Sequence, residues 1–499
     1  MKYTFRFIAF FLILASGSLI ATAQLSDKRV LTLYDAIDIA KEQSPDALVS
    51  KQNFRNSFWE YKSFKASYLP ALGLTGVIPQ FQRTISQQTD IQTGQQVFVP
   101  QQYLSSEANL SISQRIGFSG GSIFLRSGLE AVYNITDSTL NPSFLSTPVN
   151  LGLVQPIFEF NAYKWDRKIQ PMKYSQAKQQ YLEAIEQISI TTTNYFFNFL
   201  SAQVELKISH TNFSNYDTLY QIAKGRYQLG KIAENDLLLL ELNFLKAQAS
   251  VENAELALDN ASFRFRSYLR IKDTIPIILI PPANIDFFTV EPNEAIHLSE
   301  QNSSTYLNFQ QRLLEAARDV NRARLEGRFN AELSAIVGLT KNATTLVGAY
   351  NNPLDQQQVA LGITIPIYDW GVARGKIKMA ESQEEIVKSS VEQELLDFER
   401  DVYLQVIEFN MQRNQLTIAA KSDTVARKNY DVIKGRYLIG KMNSILDLNN
   451  AQIETDNAEK SYYRALQTYW RNYFELRKLT LFDFPANRPL QFSFEDIEL

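Results

Sequence analysis

The sequence predicts a mainly α chain with a β-barrel part, assembled from two copies of one helix–strands–long helix–turn–helix unit. Three observations carry that prediction. One motif recurs at a fixed offset, and a second recurs in the same register. Apolar residues run at coiled-coil spacing over stretches far longer than an ordinary globular helix. Ahead of each such stretch lies a zone that alternates with a period of two.

The repeat sets the frame. Lys224-Gly225-Arg226-Tyr227-Gln228-Leu229-Gly230-Lys231 returns as Lys434-Gly435-Arg436-Tyr437-Leu438-Ile439-Gly440-Lys441, an offset of 210. In the same register Leu151-Gly152-Leu153-Val154-Gln155-Pro156-Ile157-Phe158 matches Leu361-Gly362-Ile363-Thr364-Ile365-Pro366-Ile367-Tyr368, and Lys164 and Lys168 match Arg374 and Lys378. Upstream, Ala36-Ile37 matches Ala295-Ile296 at an offset of 259, so the first copy carries about 50 extra residues between its opening helix and Leu151. The expected organisation is a leader at 1–23, a first repeat at 24–270, a joining segment at 271–292, a second repeat at 293–480 and a tail at 481–499. The joining segment and the tail do not fit the repeat and are expected to form a small girdle beside the helices.

The leader reads as a cleavable secretory signal. Lys2 and Arg6 make its positive end, Phe7 to Leu14 its apolar core, and Ala21-Thr22-Ala23 its small-x-small cleavage pattern. That core is too short to cross the ~30 Å of a hydrocarbon layer. No later stretch approaches 18 uncharged apolar residues, so any membrane-spanning part must be a β-barrel.

Each repeat opens with helical spacing, at about Thr32 to Ser67 and Asn293 to Gly327. The strand zones follow, at about 71–157 and 331–367. Ala331, Leu333, Ala335 and Val337 alternate with Glu332, Ser334 and Gly338, with Ile336 breaking the pattern, and Val359, Leu361, Ile363 and Ile365 with Ala360, Gly362 and Thr364. In the first copy, segments near Ala71–Ile78, Asn109–Phe118, Ser122–Tyr133 and Val149–Ile157 alternate likewise. One apolar face and one small or polar face suits a lipid-facing, water-filled barrel. A half-buried sheet of a soluble domain alternates too, but the leader and the aromatic strand ends favour the membrane. Phe158 and Phe160 match Tyr368 and Trp370 where an interfacial aromatic girdle would sit. Pro156 and Pro366 close the strands there by removing a ladder donor. Lys164, Lys168, Arg374 and Lys378 lie just beyond, placed either to meet lipid phosphates or simply to solvate a helix face.

Long helices come next, from about 163 to 227 and from about 372 to 437. In the second, Val391, Leu395, Phe398, Val402, Val406 and Phe409 step by three and four. At 1.5 Å per residue, about 60 residues span roughly 90 Å. Pro171 either marks the first turn of its helix or kinks it. Each long helix ends in a glycine-bounded turn, and a second helical stretch runs on to about 270 and 480.

Composition narrows the function. A net charge of −3 leaves no basic excess for nucleic acid. Cysteine is absent, which excludes disulfides, thiolate chemistry and a cysteine-linked lipid. His210 and His297, the only histidines, have no carboxylate pair at ligand spacing and read as incidental. Gly117, Gly120 and Gly121 are strand-turn glycines, and no phosphate loop, nucleophile elbow or zinc pattern occurs. No catalytic residue, cofactor or metal site is expected.

The duplicated strand–long helix–turn–helix unit, its Arg-Tyr-x-x-Gly turn and the following Asp-Leu resemble the TolC-like outer-membrane efflux proteins. The resemblance spans nearly all of the chain after the leader. It implies a homotrimer in the outer membrane of a Gram-negative bacterium, sharing one transmembrane barrel and one periplasmic α-helical tunnel. It implies an exit duct for a tripartite efflux or secretion system, with a periplasmic adaptor and an inner-membrane transporter as partners and outer-membrane lipid around the barrel. It places the turns Leu229, Gly230, Lys231, Ile232 and Ile439, Gly440, Lys441, Met442 against the adaptor. It makes Asp447, Asn450 and Asp236 candidates for the periplasmic constriction, although a first-turn acid also serves the helix dipole. The family pattern is two strands per copy, whereas the first copy here has four strand-like segments. The extra pair either joins the barrel or forms an extracellular hairpin, and the hairpin is the favoured expectation. A substrate-specific porin would need strand patterning along the whole chain. A secreted coiled-coil scaffold or adhesin would explain the helices but not the alternating strands.

Overall fold

The computed structural model describes residues 28–136, 139–282, 285–441 and 444–494, so the leader at 1–23 and Met442 lie outside the described residues. The first copy runs β1 (Arg29–Thr32), α1 (Leu33–Gln43), α2 (Pro45–Ala66), β2 (Ala71–Thr89), β3 (Gln96–Arg115), β4 (Ser122–Thr136), β5 (Thr139–Ile157), α3 (Ala162–Gln228) and α4 (Glu234–Leu269). After β6 (Ile277–Ile280), the second copy runs α5 (Pro292–Asn302), α6 (Ser304–Glu326), β7 (Asn330–Ala343), α7 (Leu346–Tyr350), β8 (Leu354–Thr364), α8 (Val372–Leu438) and α9 (Ile445–Thr480), followed by β9 (Phe482–Asp483) and β10 (Arg488–Pro489). The long helices have 67 residues in both copies and their partners 36. Pro171 lies inside α3.

Each opening helix is two helices, broken at Ser44 and at Ser303. These positions stand at the same 259-residue offset that relates Ala36 to Ala295. Pro45 disfavours the helical conformation for Ser44, whose ψ is 155°. Ser303 is extended at ψ 148°, and its side chain accepts from the Tyr306 amide to cap α6.

The chain divides into two compact units. The first comprises residues up to 45, 188–287 and 413–471. Here β1 pairs in parallel with β6, and Leu33, Ala36, Ile37 and Ala40 bury one stripe of α1. Phe196, Phe197, Phe265 and Leu269 are fully buried in the α3–α4 pair. A second cluster joins Leu219, Ala223 and Leu240 to Tyr430, Tyr437, Ile445, Leu448 and Ala451.

The other unit holds the sheet. Its strands are ordered β2-β3-β4-β5-β7-β8, antiparallel throughout. The expected separate hairpin is therefore corrected: β3 is laddered to both β2 and β4, and β4 to both β3 and β5. Alternation in step with its neighbours lets an added strand gain ladder bonds on both edges. Pro156 pairs with Glu332 near the end of β5, and Pro366 lies just past β8. In the helical part of this unit, Val391, Val402, Val406 and Phe409 are buried and Leu395 and Phe398 half-buried, so the apolar seam faces inward. The rings of Phe288 and Phe409 lie 5.0 Å apart. Glu183 on α3 accepts from the Ser304 amide and hydroxyl at 2.7 Å each, satisfying the start of α6, and burial pushes its carboxyl up. Arg477 meets the buried Glu186 at 3.1 Å. Phe494 of the tail packs on Phe54 and Tyr181.

Candidate functional site

The two glycine turns have one geometry. Gly230 takes φ +66° and Gly440 φ +73°. The Gly230 amide donates to the Tyr227 carbonyl at 2.9 Å and the Lys231 amide to the Arg226 carbonyl at 2.9 Å; Gly440 and Lys441 repeat this toward Tyr437 and Arg436 at 3.1 and 3.0 Å. This is a Schellman end, which consumes the last helix carbonyls and wants a residue without Cβ in the left-handed position. Leu229 and Ile439 are 72% and 66% exposed, so each turn carries an apolar side chain into open space. Lys231 and Lys441 are exposed, while Ile232 packs on the Leu219–Tyr437 cluster.

The repeat symmetry breaks in the side chains. Tyr227 is 41% exposed, whereas its counterpart Tyr437 is 1% exposed. Arg226 crosses from the first copy to the second, donating to the Tyr437 and Leu438 carbonyls at 3.3 and 3.2 Å. Its guanidinium lies 5.1 Å from the Tyr437 ring centre. Burial pushes the Tyr437 hydroxyl up, opposed by Arg226 and reinforced by Asp236. Arg436, the counterpart of Arg226, is exposed.

Asp236 is half-buried on the first turn of α4, near Tyr437. Asp447 and Asn450 are exposed on α9, three residues apart and so on neighbouring positions of one helix face. The Asp447 amide donates to the Ser444 hydroxyl at 3.2 Å. Between them Leu448 is buried, and Asn449 accepts from the Tyr216 hydroxyl at 2.7 Å. Deeper in the same unit Asp456 accepts from Asn212 at 2.6 Å and from Gln452 at 2.9 Å, and burial pushes its carboxyl up. Burial, with Asp456 adding to it, pushes Tyr216 up to about 12. Sequence reasoning met Arg226 only as part of the repeated turn motif and did not single out Tyr216 or Asp456. The contacts of Arg226 with 437–438, of Tyr216 with Asn449 and of Asp456 with Asn212 reach the other copy, and no local spacing announces such a pair.

At the strand-to-helix junctions Phe158 and Trp370 both take left-handed φ, +65° and +55°. Phe158 lies 5.7 Å from Phe329, and the Arg322 guanidinium 4.7 Å from Phe160. Tyr368 and Trp370 meet edge to face at 4.6 Å and are 71% and 86% exposed. Between them Asp369 accepts from the Gly371 and Ala373 amides at 2.9 and 2.7 Å, bonds that hold its carboxyl below the usual range and cap α8. Asn161 accepts from the Lys164 amide at 3.1 Å and caps α3. Lys164, Lys168 and Arg374 are exposed, with Lys168 beside the Trp165 ring at 5.6 Å. Lys378 pairs with Glu381 at 2.8 Å, which also accepts from Arg324. His210 is exposed, and His297 contacts Gln301 at 2.9 Å. Among the described residues no helix is long and apolar enough to cross a membrane, and no His, Asp and Glu cluster is placed to hold a metal ion.

A sheet with an apolar face, joined through aromatic junctions to paired 67- and 36-residue helices, defines a class of outer-membrane channel. The profile of the outer membrane efflux protein family matches residues 36–269 and 296–480, and the chain belongs to that family. It is an efflux channel of the outer membrane with a periplasmic helical part. The fold is shared with solved channels. The Campylobacter jejuni CmeC outer membrane channel matches with a TM-score of 0.63 at 14% identity, over 93% of this chain and 88% of that one. The open state of the Neisseria gonorrhoeae MtrE outer membrane channel matches at 0.60 and 16%, over 92% and 91%. The outer membrane protein VceC of Vibrio cholerae matches at 0.59 and 13%, over 90% and 95%. No curated protein sequence matches the chain.

The Arg226 bridge is testable. Arg226→Ala removes two donors from the last carbonyls of α8 and is expected to cost about 1–2 kcal/mol at that helix end. Amide exchange at 437–441 should accelerate roughly 5- to 30-fold. Arg436→Ala should stay within about 0.5 kcal/mol. Equal effects of the two would mean that the bridge contributes nothing.

Proposed function

We propose that this protein is the outer-membrane exit duct of a tripartite efflux or secretion system, a passive homotrimeric channel that docks a periplasmic adaptor and an inner-membrane transporter. The observation that carries the reading is a six-stranded sheet, apolar on one face, whose first and last strands have no partner on their outer edges among the described residues. Open edges cannot face lipid, so copies must close it together. The family membership supports an efflux role. Phe158, Phe160, Tyr368 and Trp370 would form the interfacial girdle, with Lys164, Lys168, Arg374 and Lys378 beside the lipid phosphates. The joining segment with β6 and the tail with β9 and β10 would form the small girdle beside the helices. Native mass of the protein in mild detergent should be that of a trimer, and a stable monomer would sink the proposal.

The docking end is assigned to the turns Leu229–Ile232 and Ile439–Met442. Gly230→Trp with Gly440→Trp is expected to abolish export while trimers still reach the outer membrane. Placing a side chain in a left-handed position costs about 1–2 kcal/mol each, too little to unfold the protein. Normal export by the double variant would place docking elsewhere.

The constriction is assigned to Asp447 and Asn450, with Asp236 behind them. Threefold symmetry turns one exposed carboxylate into a ring of three, and such a ring prefers cations. In planar bilayers Asp447→Asn should lower cation selectivity and weaken block by multivalent cations. Unchanged selectivity and block would move the constriction to other residues.

A further inference from the structure

The extra residues of the first copy can be located strand by strand. At the 259-residue offset β2 matches β7: Leu74 falls on Leu333, Thr75 on Ser334, and Val77-Ile78 on Ile336-Val337. At the 210-residue offset β5 matches β8: Leu151 falls on Leu361 and Leu153 on Ile363. What has no counterpart is β3, the turn at 116–121 and β4. A hairpin has been inserted between the two strands of an older one, with its turn at the helix-proximal end of the sheet.

The inserted strands continue the membrane-facing pattern of their neighbours. One row of laddered residues reads Leu72, Ile112, Leu125, Leu151 and Val337, apolar across five strands including the inserted pair, and ends on Gln357 of β8. The adjacent row, which faces the other way, reads Gly73, Ser111, Arg126, Asn150, Gly338 and Gln356, small or polar across all six strands. Ile112 and Leu125 are 41% and 40% exposed, so among the described residues the apolar row is left partly open. An exposed apolar row backed by a polar one is the wall of a water-filled barrel in lipid.

The edges decide how the wall closes. Among the described residues β2 and β8 each lack a neighbour on one side. In an antiparallel meander of six strands the first and last run in opposite directions, so β8 of one protomer meets β2 of the next as a regular antiparallel pair. We infer that the inserted β3–β4 pair is part of the transmembrane wall, and that three protomers close an eighteen-stranded barrel sealed by three β8–β2 seams. This rests on the trimeric duct proposed above. Two strands per copy would close only twelve. Barrel diameter grows roughly linearly with strand number, so the outer-membrane bore is about one and a half times wider, in the size class that leaves an aqueous channel. The occupant of each bare edge is thus a second copy of this chain.

The absence of native cysteine makes the test clean. Single variants Ile112→Cys, Leu125→Cys and Leu361→Cys are labelled with an environment-sensitive fluorophore in phosphatidylcholine vesicles containing a doxyl lipid. Quenching at Ile112 and Leu125 is expected within about twofold of that at Leu361, with Ser111→Cys unquenched and open to a water-soluble maleimide. Pairs of Leu72→Cys or Leu74→Cys with Leu361→Cys or Ile363→Cys should give disulfide-linked dimers and trimers on denaturing gels. Quenching at Leu361 but not at Ile112 and Leu125 would overturn the eighteen-stranded wall and leave the duct standing. So would trimers that form no β8–β2 cross-link in any pairing. A monomeric native mass would remove the trimeric reading itself.

Discussion

Backbone hydrogen bonding in hydrocarbon is the constraint from which this protein's organisation follows. An amide or carbonyl facing lipid without a partner costs several kcal/mol, because no water can replace the lost bond. The sheet satisfies this internally along five strand pairings and fails only at the outer edges of β2 and β8. Those edges therefore dictate association. Among the described residues no helix is long and apolar enough to cross the bilayer; in an outer-membrane channel of this family the burden of spanning falls on the strands. On the proposed reading, the proline and aromatic residues at the strand ends mark where that burden stops. Past Ile157 and Thr364 the chain caps new helices with Asn161 and Asp369, whose side chains take up first-turn amides.

Duplication copied the backbone more faithfully than the packing. α3 and α8 have the same length, as do α4 and α9, and both opening helices break at a serine in the same register. The Schellman ends at Gly230 and Gly440 are alike down to the hydrogen bonds. Yet Tyr227 is exposed and Tyr437 buried, and Arg226 reaches across while Arg436 does not. Two copies of one unit present different faces to each other, so equivalent residues cannot all have equivalent neighbours. Cross-copy polar contacts fill this asymmetry: Tyr216 with Asn449, Asn212 with Asp456, and Lys434 with Asn215 at 2.7 Å.

What was legible in the sequence was whatever is periodic. The seam from Val391 to Phe409 and the alternation from Ala331 to Val337, broken only at Ile336, each state their element because the apolar positions recur at the period of that element. The glycine turns were legible because a left-handed helix end has few chemical solutions. The breaks at Ser44 and Ser303 were missed, since a serine interrupts apolar spacing without disturbing it and Pro45 alone had to signal the bend. The placement of β3 and β4 was missed for a different reason. Alternation says that a strand has two faces, but not which strands it lies between, and pairing is a relation between distant residues. The Arg226, Tyr216 and Asp456 contacts were missed on the same ground.

Strand length and composition together set how far the wall extends beyond the bilayer. About 9–11 tilted residues suffice to cross the hydrocarbon, which β8 with 11 and β7 with 14 nearly match. β2, β3 and β5 have 19, 20 and 19. The surplus has to lie at one end, and the β2–β3 hairpin says which. Its helix-proximal half holds the apolar pairs Leu72–Ile112 and Leu74–Leu110, whereas its distal half, from Gln82 to Gln102, is dominated by Gln, Ser and Thr. Hydrocarbon tolerates the first composition better than the second, so on the proposed reading the bilayer lies toward the helix-proximal end and the distal half in water. There the ladder between β2 and β3 continues unbroken from Gln80 to Thr89, with Tyr103 donating to Gln82. Its Gln, Ser and Thr side chains need no cover, so the ladder bonds can hold this half as a strand although Ile85, Val97, Phe98 and Val99 interrupt the polar run.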